Sequence, residues 1–173
     1  MKTFTEPKIV IAVSGDPRVG KTTLLLEFID RLKAKSRFTP GSFCQLLSRG
    51  KKGRDKCVIG VVDDIIVGIG TKGDSATEIF RNFNFFQDSH CQIVFTAVRR
   101  KAEETSRMAL EMILDHCQML KFKEIEKAKD TSSVFSPKTS QYVLGPLKTL
   151  ESTLDAAIVF LKECERKRVF PFA

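Results

Sequence analysis

Residues 15–22 read Gly-Asp-Pro-Arg-Val-Gly-Lys-Thr, with two glycines bracketing four residues and a lysine and a threonine directly after. That spacing suits the holding of phosphate groups. Glycines at both ends let the backbone wrap closely around an anion, with successive N–H groups turned inward. A helix starting at the second glycine would place the positive end of its dipole beneath the same anion. Lys21 would reach the outer, β- and γ-phosphates. Thr22 would offer its hydroxyl to Mg²⁺, and Thr23 is placed to touch the α-phosphate. Asp16, Pro17, Arg18 and Val19, with Gly15 and Gly20, supply the main chain of the cradle.

The string fits the Walker A pattern G-x-x-x-x-G-K-[ST] at every fixed position, after a β-branched strand and before an amphipathic helix. On these residues the chain resembles the P-loop NTPase superfamily. The resemblance implies Mg²⁺ and a nucleoside triphosphate, with hydrolysis or phosphoryl transfer to a small acceptor, as in a small nucleotide kinase. ATP, or another nucleoside triphosphate, is the nucleotide expected; the loop sees only phosphates, and neither an adenine pocket nor a guanine-reading string is evident. Thr71-Lys72-Gly73-Asp74 has threonine for the usual asparagine and comes too early. The chain is also similar to small bacterial and phage P-loop proteins in its strand leading to Gly73-Asp74 and its apolar strand ending at Ala97-Val98-Arg99.

A carboxylate should help Thr22 hold the metal, from the C-terminal end of a strand beside the phosphate loop's own strand. Two places compete. VIGVVDD, ending at Asp63 and Asp64, matches the local pattern. Yet two six-residue apolar runs flank Asp63-Asp64 in residues 57–70, which suggests a β-hairpin with its turn at the aspartates. The second arm would then run parallel to the first strand and carry Asp74 to the phosphate edge, leaving Asp63 and Asp64 at the far end. Asp74 is favoured; it also suits the N-cap of the next helix. Arg99 and Arg100, after the strand 92–98, would emerge at the same edge. There they would neutralise charge developing on the transferring phosphoryl group, or else form a solvated, basic first helical turn.

The elements that must position these residues follow from periodicity. Residues 8–14 (KIVIAVS) read as a buried strand, and 22–35 as a helix with Leu24, Leu25, Phe28, Ile29 and Leu32 on one face. A short strand is expected near 43–47, a helix over 75–87, a strand over 92–98, and a mostly helical segment over 99–121. Ile79, Phe80, Phe83 and Phe86 share a helical face, better suited to core than to base stacking. A last short strand is expected at 122–128 and a long loop at 130–145. Pro146 would then open a final helix with Leu147, Leu150, Leu154, Ile158 and Leu161 inward. Strands alternating with helices give one α/β domain over residues 1–173, a three-layer α/β/α P-loop NTPase fold with a mostly parallel central sheet.

At 173 residues, with 42% hydrophobic and 29% charged, the chain is long enough for a single core and too apolar for a disordered one. No apolar run approaches a membrane span, and residues 1–8 lack the features of a secretion signal, so a cytoplasmic protein is expected. Five widely spaced cysteines, without a C-x-x-C pair, read as buried thiols rather than zinc ligands. The net charge of +8 points to anionic partners. Arg49, Lys51, Lys52, Arg54 and Lys56 crowd one segment, which supports a second reading: a nucleotide-dependent module that binds nucleic acid, or a protein partner.

Overall fold

A computed structural model describes residues 6–45, 56–117, 120–127 and 139–169. Six strands form one sheet in the order β2-β3-β4-β5-β1-β6. They are β1 (Ile9–Gly15), β2 (Cys44–Gln45), β3 (Cys57–Val62), β4 (Ile65–Gly70), β5 (Ile93–Arg99) and β6 (Lys121–Glu126). Strands β4, β5, β1 and β6 are parallel neighbours, and β3 pairs antiparallel with both β2 and β4. Every residue of β1 is buried, as expected of a parallel strand covered on both faces.

Alternation along the strands feeds two cores. Ile9, Ile11 and Val13 of β1 pack with α1 (Lys21–Ala34) and α4 (Thr139–Val169). Val10 and Ala12 pack on the opposite face with α2 (Ala76–Asp88) and α3 (Thr105–His116). The protein is therefore an α/β fold with a mostly parallel sheet between two helix pairs. Arg31 and Arg37, near the end of α1, pair at 2.7 Å with Glu151 and Asp155 of α4 and fasten one layer. No helix among the described residues is long and apolar enough to cross a membrane.

The hairpin forms as its pattern suggests. Val62 pairs with Ile65, leaving Asp63 and Asp64 as a two-residue turn. Both lie in the left-handed region, at φ 49° and 67°, the geometry of a type I′ turn that aspartate tolerates. Helix α2 is capped by Ser75, whose hydroxyl accepts from the Glu78 N–H while Glu78 answers with its carboxylate. Phe83 and Phe86 are fully buried, so they are core and not a stacking platform.

Other expectations need correction. Helix α3 starts at Thr105 rather than at Arg99, so Arg99 closes a strand, and the first turn of the helix carries Arg107 instead of Arg99 and Arg100. Helix α4 starts at Thr139, placing Pro146 inside it. The cysteines are not uniformly buried: Cys57 and Cys91 are, Cys44 is exposed, and Cys117 and Cys164 lie between. Burial pushes the Cys91 thiol up to about 12. Of the basic segment 49–56, only Lys56 is among the described residues.

Candidate functional site

Between the end of β1 and the start of α1, residues 16–20 turn the chain back on itself. Arg18 (φ 62°) and Gly20 (φ 95°) take left-handed conformations, a kind of turn able to gather successive N–H groups around an anion. Helix α1 has no side-chain cap at its N-terminus, so no capping side chain takes up its first N–H groups. Lys21 folds back over this loop, and its Nζ donates to the carbonyls of Gly15 and Asp16, each at 2.9 Å. Only 6% of Lys21 is exposed. Burial lowers its pKa; Asp74 acts to raise it, Arg99 to lower it and Asp16 to raise it.

That balance shows which side chains gather around Lys21. Asp74 comes from the loop after β4, and β4 is not the neighbour of β1; β5 lies between them. The expected adjacency is thus corrected: the carboxylate reaches the edge from one strand further away. Gly73 allows it, since a Cβ there would stand 1.8 Å from the Ala97 carbonyl oxygen of β5. The loop crosses the end of β5 in direct backbone contact. Asp74 Oδ1 then sits 3.0 Å from Nε of Arg99.

The loop is held from several sides. The Asp74 N–H donates to Glu78 Oε2 at 2.8 Å, and the buried Asn82 amide donates to the Lys72 carbonyl at 2.8 Å. Across the site, the Thr22 hydroxyl donates to the Thr71 carbonyl at 3.1 Å. Asn82 therefore supports the segment that bears both Thr71 and Asp74. Asn82→Leu should leave the Lys72 carbonyl without its donor and cost about 1–3 kcal/mol of stability, read by denaturant unfolding. If the site is as drawn, the same variant should also shrink any stabilisation by Mg²⁺–nucleotide.

Arg99 and Arg100 separate. Arg99 continues the alternation of Phe95 and Ala97 toward the α1 face, and its side chain is 18% exposed. Its Nε and Nη1 are buried without a hydrogen-bond acceptor: Asp74 is at ion-pair distance but not aligned to accept. Arg100 instead pairs with Glu126 of β6 at 3.2 Å. Asp63 and Asp64 lie at the other end of the sheet, roughly 30 Å from Gly15 at about 3.3 Å per residue. Asp63 faces Arg37, past the C-terminal end of α1, at 3.8 Å.

The strand on the other flank of β1 carries carboxylates that the sequence reading passed over. Glu124 bonds the buried Arg107 of α3 through both guanidinium nitrogens. Burial would raise the Glu124 pKa, but the bonds and charge of Arg107 outweigh it and hold the group below its usual value. The alternating KFKEIE of β6 was the available signal, with Glu124 and Glu126 two residues apart and hence on one face. Both are engaged by arginines, Glu124 by Arg107 and Glu126 by Arg100.

Compared with protein-family models, with curated proteins and with solved structures, the chain matches none.

Proposed function

We propose that this chain is a P-loop enzyme that binds a nucleoside triphosphate, ATP by preference, with Mg²⁺, and hydrolyses it or passes its γ-phosphate to a small acceptor. One observation carries the reading. Lys21 and Arg99, two largely buried cations close enough for Arg99 to depress the Lys21 pKa, share one edge with an uncapped helix start and a left-handed loop. Burying like charges together is unfavourable unless anions join them, and one half-exposed carboxylate, Asp74, serves both cations here. The unbonded guanidinium N–H groups of Arg99 are donors suited to phosphate oxygens.

The residues present also fit Mg²⁺. Thr22 spends its hydroxyl proton on the Thr71 carbonyl and keeps its oxygen lone pairs, and the Asp74 carboxylate is half-exposed at the same edge. Two hard oxygen donors are what this ion asks of a protein when phosphate supplies other ligands. Held by Thr22 and Asp74, Mg²⁺ would neutralise charge on the β- and γ-oxygens. The loop N–H groups and Lys21 orient the phosphates, and Arg99 donates where negative charge grows as the γ-phosphoryl group leaves.

Thermal melting with ATP, GTP, CTP and UTP, with and without Mg²⁺, tests this. Ligand at 100 times its dissociation constant should add about 2.7 kcal/mol, a shift of several degrees. If no triphosphate shifts the melt, the proposal falls. Product analysis then separates the chemistries. ADP formed in proportion to an added nucleoside or nucleotide marks a kinase. Hydrolysis that rises on adding DNA or RNA marks the nucleic-acid-dependent module.

A further inference from the structure

The Asp74–Arg99 pair sits oddly for two groups that would both serve a substrate. The carboxylate stands 3.0 Å from Nε of the guanidinium, whose buried Nε and Nη1 nevertheless make no hydrogen bond. The main chain of Asp74 is pinned by Glu78, by the Ser75 cap and, through Lys72, by Asn82. Motion at this point is therefore confined to side-chain torsions of Asp74, which is 53% exposed, and of Arg99. The carboxylate also acts on the Lys21 amine, so it neutralises both cations of the site at once. An incoming triphosphate without metal meets that carboxylate as a like charge and as a competitor for Arg99. A triphosphate carrying a divalent cation meets it as a ligand.

From this arrangement we infer that the Asp74–Arg99 ion pair is a latch that makes triphosphate binding conditional on a divalent cation. Asp74 withholds Arg99 from a metal-free triphosphate. When metal arrives with the phosphates, the carboxylate turns to it and frees the guanidinium for the terminal phosphate. The latch rests on the reading of the site as one for Mg²⁺ and a nucleoside triphosphate. It adds selectivity for the metal complex over the free anion, in an equilibrium that only differential affinity can shift.

Calorimetric titration with inorganic tripolyphosphate and with ATP, in EDTA and in Mg²⁺, tests the latch without any turnover. Wild type should bind tripolyphosphate at least about tenfold more tightly with Mg²⁺ than with EDTA. Asp74→Asn should reverse the pattern, gaining about tenfold in EDTA and losing most of the benefit of Mg²⁺. In an Arg99→Met background, with Arg99→Gln as a second choice should that variant not fold, Asp74→Asn should bring little gain in EDTA, because no guanidinium is left to release. No gain in EDTA for Asp74→Asn alone would overturn the latch. So would a gain of equal size without Arg99, since that is plain charge repulsion. Failure of the underlying reading looks different: wild type and Lys21→Met would then bind Mg²⁺–tripolyphosphate equally, or neither would bind it.

Discussion

Lys21→Met should leave the protein folded and remove its Mg²⁺–nucleotide-dependent stabilisation. The sequence alone suggests a solvent-facing amine, but Lys21 is buried and bonded to the Gly15 and Asp16 carbonyls. Two charge-assisted bonds to phosphate, at about 1.5–3 kcal/mol each, put the loss of affinity near 100-fold or more. The free protein should respond in the opposite sense. Burial holds the folded pKa of Lys21 below the usual 10.5, so the unfolded chain binds the extra proton between those two values. Wild-type stability therefore gains from this group as pH rises through that window, and the charged amine opposes folding below it. Methionine removes the penalty and flattens that rise, so the variant without ligand should melt no lower than wild type at neutral pH. Melting curves across pH, with and without Mg²⁺–ATP, check both halves. An undiminished shift on adding Mg²⁺–ATP would remove Lys21 from the site.

Gly73→Val should be as damaging to the site and more damaging to the fold. Any Cβ at this position would lie 1.8 Å from the Ala97 carbonyl oxygen and 2.6 Å from its carbonyl carbon. Neither atom belongs to a side chain that could turn away, and β5 is paired on both sides in the middle of the sheet. The loop after β4 must then lift off. Overpacking of this kind costs about 1–3 kcal/mol, and a backbone obstacle places it at or above the upper end. Lifting the loop also draws Thr71 from Thr22 and Asp74 from Arg99, the two contacts that span the site. A lowered midpoint in urea together with a weakened dependence of nucleotide binding on Mg²⁺ is the expected pair of results. A variant as stable as wild type would show that the loop does not press on β5.

The turn between β1 and α1 was legible because the residues that shape it are local. Gly15, Gly20, Lys21 and Thr22 lie within eight residues, and the backbone conformations they require follow from residue type at fixed spacing. The hairpin was legible for a similar reason: two equal apolar arms about Asp63-Asp64 leave one compact way to bury both. Strand direction then follows, and it alone sends Asp74 to one end of the sheet and Asp63 to the other. Lateral order along the sheet was not legible, because hydrogen-bonding edges of apolar strands carry no residue code. Only the folded sheet inserts β5 between β4 and β1, making Gly73 cross it and setting Asp74 against Arg99. Side-chain contacts between separate elements, such as Arg107 with Glu124 and the Asn82 amide with the Lys72 carbonyl, were hidden likewise. The burial of Lys21 belongs with them, since desolvation is a property of everything packed around a group and no single residue's neighbours in sequence record it.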